Sequence, residues 1–359
     1  MSDPSMFLAW KEMKHAKARF ILIGFIMVLL AYLVLFVSGL ANGLQADNVS
    51  SIQHMKATSF VVAQNSDQRL QSSQLTEKQW HELQRTKDVT PLGLRMTSVK
   101  QQGSQKKIDS TLMAIDPEQF LAPTIEEGQA VTHLRPNEVV GDYSLKEHGF
   151  MLGDVLVETM TGKTMTLVGF TKNELFSHAP VLHMTTQGWH RLFGAKVSWN
   201  AGALRTAVHL PSIKGVEQAS KEEIVQSVPG YKEEQGSLTM MIVFLFVISA
   251  FVLSVFFYVL TLQKMSHFGV LKAMGATTRY LARSILYQVL LLTSFSVAIG
   301  VGLTLLTGAL LPSTMPFHVT PTLLLSCCGL LITVAILGSL LSLNTVRKVD
   351  AIEAIGRAN

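Results

Sequence analysis

The sequence predicts a membrane protein with four transmembrane α-helices and a large mixed α/β extracytoplasmic domain between the first and second helices. Of its 359 residues, 48% are hydrophobic and only 15% are charged, which is too apolar for an ordinary soluble domain. The apolar residues are also concentrated. No Asp, Glu, Lys or Arg occurs between Arg19 and Asp47, between Glu234 and Lys264, or between Arg283 and Arg347.

Each charge-free segment is long enough to cross a bilayer, which takes roughly 20 apolar residues in a helix. The first two segments each hold one helix. The third holds two, because the prolines of "LLPSTMPFHVTP" cannot continue a helix. In chain order, the predicted parts are an amphipathic cytoplasmic helix (1–19), helix 1 (20–44), the external domain (45–236), helix 2 (237–263), a cytoplasmic coupling segment (264–282), helix 3 (283–310), an external hairpin (311–321), helix 4 (322–345) and a cytoplasmic tail (346–359).

Basic residues near the helix ends predict the orientation, since Lys and Arg favour the cytoplasmic side. Lys and Arg lie in the N-terminal segment, in the 264–283 connection and in the C-terminal tail, and none lies in the hairpin at 311–321. Both termini are therefore expected in the cytoplasm, in a multi-pass protein of the cell membrane. The net charge of +5 indicates this topology and not nucleic-acid binding.

A cleaved signal peptide is the alternative interpretation of the first apolar segment. The segment is about twice the length of a typical signal core, and "SMFLAWKEMKHAKARF" precedes it. That stretch suits a helix lying on the inner leaflet, with a solvated leader as its alternative. We therefore expect helix 1 to stay in the mature chain.

Local patterns in the external domain indicate both helices and strands. "SFVVAQ" is typical of a strand, and "DVLVETM" and "TMTLVGF" flank a Thr-Gly turn as in a hairpin. "LTEKQWHELQRT" predicts a helix with Thr76 as its N-cap and an apolar face of Leu75, Trp80 and Leu83. "KEEIVQSVPG" predicts a second helix that ends at the Pro-Gly pair.

The chain offers no motif for chemistry of its own. "TGKT" at 161–164 imitates a phosphate-binding loop, but the position that needs glycine is Val157. The two cysteines, Cys327 and Cys328, are adjacent and fit packing residues. The 11 histidines show no ligand spacing, and those of the external domain fit ordinary surface or core residues. We therefore predict no ATPase motif, no intrinsic cofactor and no enzyme activity for this chain alone.

The segment "LTLQKMSHFGVLKAMGATTRYLARSIL" resembles the connection between helices 2 and 3 of MacB/FtsX-type (type VII) ABC transporter permeases. His267 stands where that family usually has Glu, and the terminal "VRKVDAIEAIG" has Ala351 in place of the usual proline. The resemblance implies two copies of a separate cytoplasmic ATPase and a second permease copy. The residues it implies for ATPase coupling are Phe268, Gly269, Leu271, Lys272 and Gly275. From the charges alone, a basic loop that merely holds topology remains the alternative.

Within that family, "FLAWKEMKHAKARFILIGFIMVLLAYLVLFVSGLANGL", "YKEEQGSLTMMIVFLFVISAFVLSVFFYVLTLQKMS" and "MPFHVTP" are similar to haem-exporting members. This resemblance implies haem, taken from the membrane, as the transported ligand, and a role in haem tolerance. The alternatives are another amphipathic cargo, such as a peptide, macrolide or lipoprotein, or FtsX-like transmembrane signalling.

The resemblance to haem exporters implies Glu234 as the candidate axial ligand of the haem iron, and a carboxylate above an apolar, methionine-lined stripe suits a hard metal centre. Tyr32 and Phe36 share one face of helix 1, and Met240 and Met241 lie near Glu234; all four are candidates for contact with the ring. From the residues alone, the stripe also fits packing, and Glu233 and Glu234 also fit first-turn caps stabilised by the helix dipole.

Overall fold

The computed structural model describes residues 17–86, 88–206, 213–312 and 315–347. Most of the expected N-terminal amphipathic helix and of the cytoplasmic tail lies outside the described residues. The chain divides into a helical unit (1–42, 237–311 and 317–359) and an external unit (43–236 and 312–316). Each unit is taken by itself below.

The described helices are of two kinds, long apolar ones and short ones. They are α1 (Lys17–His54), α2 (Glu77–Leu83), α3 (Ser144–Glu147), α4 (Thr186–Phe193), α5 (Lys221–Ser227), α6 (Tyr231–Gln263), α7 (Met265–Ala273), α8 (Thr278–Leu310) and α9 (Pro321–Arg347). Among the described residues, α1, α6, α8 and α9 are long and apolar enough to cross a membrane.

These long helices extend beyond the predicted apolar limits. α1 runs to His54 instead of residue 44, and α6 begins at Tyr231 instead of residue 237. α1 continues through polar residues beyond the predicted limit because Val49 and Ile52, in this extension, are fully buried in the external unit. At its end, Nζ of Lys221 donates to the carbonyls of Gln53 and Met55 at 2.9 and 2.6 Å, which satisfies groups that a helix terminus leaves open.

The helical unit is held by apolar contacts among its long helices. Phe20 and Ile23 of α1 share a buried cluster with Phe257 of α6 and Leu281 of α8. Gly300 lets α8 approach α1 closely, since a Cβ there would lie 2.9 Å from Cβ of Ala31. Small residues allow such approach between membrane helices.

The external unit is built on an 11-stranded sheet. Its strands are β1 (Ser59–Ala63), β2 (Val89–Gln101), β3 (Lys107–Ile115), β4 (Ile125–Gly128), β5 (Glu138–Asp142), β6 (Val155–Glu158), β7 (Thr164–Thr171), β8 (Leu175–Phe176), β9 (Ala179–Thr185), β10 (Ala201–Leu204) and β11 (Val216–Ser220). The order is β11-β1-β10-β2-β3-β9-β5-β7-β4, while β6 pairs with β2 and β7, and β8 pairs with β9.

Six of these strands form a closed ring of pairings. β2 pairs with β3, β3 with β9, β9 with β5, β5 with β7, β7 with β6, and β6 again with β2. Closure leaves these strands without an open edge. Leu112, Leu156, Leu167 and Leu182 from the ring belong to one fully buried apolar cluster. The ring thus shares one buried apolar core.

Several local expectations for this unit are confirmed. β1 coincides with the predicted strand, and β6 and β7 form the predicted antiparallel hairpin. The side chain of Thr76 caps α2 in a reciprocal capping box with Gln79, and Leu75, Trp80 and Leu83 are buried. α5 ends just before the Pro-Gly pair as expected.

Candidate functional site

Glu234 lies in the first turn of α6, where its backbone N–H donates to the carbonyl of Gly230 at 2.9 Å. Two groups hold its carboxylate, and both contact the same oxygen. Nδ2 of Asn48 donates to Oε2 at 3.0 Å, and Nε2 of His178 lies 3.4 Å from Oε2. Within the described part of the chain, no hydrogen bond or ion pair engages the other oxygen, Oε1. A carboxylate accepts at both oxygens, so this one keeps half of its capacity.

The side chain of Glu234 is 24% exposed, so it is neither sealed in a core nor fully solvated. Its neighbour Glu233 is exposed, and the described residues give it no ion pair. Successive helical residues diverge by about 100°, which accounts for the difference between the two. Only Glu234 combines fixed orientation with a free oxygen.

Tyr32 and Phe36 are packed inside the helical unit. Their rings stack on each other, with centroids 5.7 Å apart, and the Phe36 ring stacks on Phe317 at 5.3 Å. Oη of Tyr32 lies 3.1 Å from Oγ1 of Thr307. Phe317 in turn presses against Gly39, where an added Cβ would come within 2.8 Å of the ring. These contacts account for the aromatic face through packing, and a role toward a ligand stays a prediction.

Met240 and Met241 lie on α6 and are 60% and 42% exposed. Their exposure contrasts with the packed rings of Tyr32 and Phe36, and contact of these methionines with a ligand stays a prediction.

The predicted coupling segment forms α7, and burial divides its residues. Phe268 is only 1% exposed and packs in the cluster that contains Phe20 and Leu281. Gly269 is buried as well, and Leu271 and Lys272 are half-buried. The Phe268 ring therefore holds the segment to its own helices, and a role of Phe268 in ATPase coupling stays a prediction.

The exposed side of the segment lies at other positions. Val270 and Met274 are 53% and 71% exposed. Gly275 takes φ +95° just after α7, a left-handed conformation that ends helices and favours glycine. Val270 and Met274 are thus the large apolar side chains that the described residues of this segment expose.

A second histidine–carboxylate cluster, not anticipated from the sequence, lies in the external unit. Glu174 follows β7, and its Oε1 and Oε2 lie 3.2 Å from Nδ1 of His54 and 3.4 Å from Nε2 of His183. Burial acts to raise the pKa of Glu174, but the contacts with His183 and His54 outweigh it and lower that pKa. The contact with Glu174 raises the pKa of His54, against the effect of burial.

This cluster lines a cavity of about 240 Å³ that also contains Lys56 and Lys172. His183 is 1% exposed, and Glu174 is 6% exposed. No group of three His, Cys, Asp or Glu side chains in the described ranges is placed to hold a metal ion. Each oxygen of Glu174 thus has a histidine nitrogen within 3.4 Å, which makes the cluster an internal histidine–carboxylate contact.

Comparison with known proteins places the chain. Residues 239–351 match the family described as "FtsX-like permease C-terminal". The chain is 34% identical over 353 residues to a "Putative hemin transport system permease protein HrtB" of Staphylococcus epidermidis, covering 98% of this chain and 99% of the relative. A protein of the same description from Staphylococcus haemolyticus is 32% identical over 357 residues, with the same coverage.

A more distant relative is an "Uncharacterized ABC transporter permease" of Mycobacterium tuberculosis, 23% identical over 359 residues and covering 98% of this chain and 99% of the relative. The similarity thus extends over both units and all four long helices. The chain is a membrane protein, and it belongs to the FtsX-like permeases of ABC transporters.

Proposed function

We propose that this chain is the permease subunit of an ABC efflux pump that takes haem from the membrane and expels it outward. The observation that carries the proposal is the carboxylate of Glu234, with Oε2 held by Asn48 and His178 and Oε1 unengaged among the described residues. The relatives described as hemin transport permeases support the choice of cargo.

The chemistry of the cargo agrees with this carboxylate. Haem is a largely apolar ring whose iron takes axial ligands, and anionic oxygen ligands occur among haem proteins, as in Tyr-ligated haem. A fixed carboxylate loses less orientational freedom on binding than a mobile one, which favours affinity. Glu234 is the proposed axial ligand. Tyr32, Phe36, Met240 and Met241 are proposed for ring contact, the methionines on the stronger ground because their side chains are exposed.

The proposed assembly is two permeases with two copies of a cytoplasmic ATPase. With both termini and α7 on the cytoplasmic side, Val270 and Met274 face the compartment that supplies ATP. Apolar side chains exposed on a short helix are suited to insertion into a groove on that subunit. Lys272 adds a positive charge beside them.

The test is a haemin titration of the purified permease–ATPase complex, followed through the Soret absorption band. Glu234→Ala should weaken binding by tenfold or more, the range found when a metal site loses a supporting residue, and should sensitise cells to haemin. The matched control Glu233→Ala should behave like the parent, because that carboxylate is exposed and has no described ion pair. If Glu234→Ala binds and exports haem normally, the carboxylate is only a helix cap and the iron ligand lies elsewhere. If the parent complex itself shows no Soret change with haemin, the cargo is another amphipathic molecule.

A further inference from the structure

A two-residue turn, Ser177–His178, brings an imidazole to Glu234. It joins β8 to β9, with Phe176 paired to Ala179 across it. Both turn residues have positive φ, 51° at Ser177 and 60° at His178. This is the backbone requirement of a type I′ turn, where glycine and asparagine are strongly preferred.

The chain thus carries a bulky side chain in a conformation that disfavours it. Residues in the left-handed region persist where surrounding structure enforces them, and they cluster at ligand sites. The enforcing contacts come from α1. The N–H groups of Ser177 and His178 donate to the carbonyls of Asn48 and Asp47 at 2.8 and 3.2 Å, and Oγ of Ser50 accepts from the N–H of Leu175 at 3.0 Å.

Asn48 provides the second contact to the carboxylate from a buried position. Asn48 is 2% exposed, and its Oδ1 has no hydrogen-bond partner among the residues that the structure describes. A carboxylate only accepts hydrogen bonds, so the amide must present Nδ2 to Glu234 and leave Oδ1 unpaired. The amide is thus oriented by Glu234, at the cost of an unsatisfied buried oxygen.

We propose that Asn48 and His178 are positioning residues that hold Oε2 of Glu234 so that Oε1 is presented to the haem iron. This inference rests on the proposed function. It goes beyond that function by assigning the orientation of the ligand to two residues from distant parts of the chain. Groups that hydrogen-bond a metal-ligating side chain set its orientation and basicity, and their loss typically weakens metal binding by 10–100-fold.

Four substitutions separate the effect of the imidazole, of the backbone strain and of the amide donor. His178→Gly removes the imidazole and also relieves the positive φ, so the turn should hold at least as well as in the parent. Ser177→Gly relieves the same kind of strain at the preceding residue and keeps the imidazole. Asn48→Leu removes the Nδ2 donor together with the unpaired Oδ1, in a side chain of similar shape. His178→Gln keeps a polar side chain with an N–H donor at the same position.

The experiment is a haemin titration of the full-length permease–ATPase complex carrying each variant, followed by Soret position and affinity, with thermal unfolding as the check on folding. We expect His178→Gly and Asn48→Leu each to weaken haemin binding about tenfold or more and to shift the Soret band. Ser177→Gly should match the parent, and His178→Gln should recover part of the affinity. All four should unfold at or near the parent temperature.

A Glu234→Gln background separates the two claims. If Glu234→Gln weakens binding and His178→Gly adds nothing further in that background, the two residues act through one contact, as proposed. If Glu234→Gln weakens binding while His178→Gly and Asn48→Leu bind haemin like the parent, the positioning role is overturned and the proposed function stands. If Glu234→Gln itself binds like the parent, the iron ligand lies elsewhere and both claims fall.

Discussion

Glu174 and Glu234 are two carboxylates of the external unit that each contact histidine, yet they differ in how their oxygens are used. Glu174 is 6% exposed, with one oxygen near His54 and the other near His183. Glu234 is 24% exposed, and both of its contacts fall on Oε2. Each oxygen of the first carboxylate has a histidine contact of its own. The second carboxylate is oriented by its own protein and left half open.

The number of carboxylate oxygens that contact other protein groups, and not the residue type, thus distinguishes a structural pair from a candidate ligand site. A buried charge that is fully paired is costly to break and unavailable to a ligand. A carboxylate held through one oxygen is positioned at little cost and can still accept through the other. The same distinction between sealed and open groups applies to α7, where Phe268 is buried and Met274 is exposed.

The largest expected effect is on stability, at Glu174. Glu174→Ala should destabilise a soluble fragment of residues 43–236 by about 3–5 kcal/mol, the usual cost of removing one partner from a buried pair. Denaturant unfolding would measure it. Glu234→Ala in the same fragment should change stability by less than about 1 kcal/mol, because that pair is partly exposed. Equal losses for both variants would erase the distinction between them.

The next effect separates packing from docking in α7. Phe268→Ala should destabilise the helical unit by about 3–5 kcal/mol, as large-to-small changes in a core do, and lower the yield of folded permease. Met274→Glu should leave the yield unchanged and reduce copurification of the ATPase, since it places a charge on an exposed apolar surface. Normal ATPase copurification with Met274→Glu would move the docking surface away from this residue.

The smallest effect is a pH dependence at His54. The pKa of His54 is raised in the folded protein. Its pairing with Glu174 therefore stabilises the fold fully at pH values below the ordinary pKa of 6.5, and this stabilisation is lost as pH rises through the folded-state pKa. The lowered pKa of Glu174 means that its contribution is present above its ordinary value of 4.5 and is lost as pH falls through the folded value.

The pair therefore contributes most between those two values. His54→Ala should destabilise the 43–236 fragment near pH 5.5 by at most about 1 kcal/mol, since the imidazole is half-exposed, and by less at pH 8. Unfolding curves at both pH values would measure the difference. A larger loss at pH 8 would reverse the assigned direction.

Local sequence patterns predicted the elements that local physics determines. Thr76 is a cap because its hydroxyl reaches the N–H of Gln79 three residues on, and the β6–β7 hairpin is set by its own turn. The four apolar helices follow from chain segments without charge. The closed ring of strands was not predictable in this way, because β3 and β9 pair across a long stretch of chain whose register no local pattern specifies.

The same limit explains what was missed at the site. Glu234 was identified from its position before an apolar helix, but its partners Asn48 and His178 come from other parts of the external unit. His54, His178 and His183 had been interpreted as ordinary residues because their spacing fits no ligand motif. The available signal was a Ser-His pair between two apolar, strand-like runs, which indicates a two-residue hairpin turn. Both residues of this turn have positive φ, a conformation in which glycine is preferred.

The most direct test of the account compares Glu234→Gln with Glu174→Gln in the full chain, by haemin titration of the folded protein. Gln keeps the size of the side chain and removes the charge that an iron ligand supplies. We expect Glu234→Gln to weaken haemin binding by about tenfold or more, while Glu174→Gln binds like the parent in whatever fraction folds. Parent-like binding by Glu234→Gln, or a selective loss with Glu174→Gln, would contradict the central claim that the half-held carboxylate is the haem ligand.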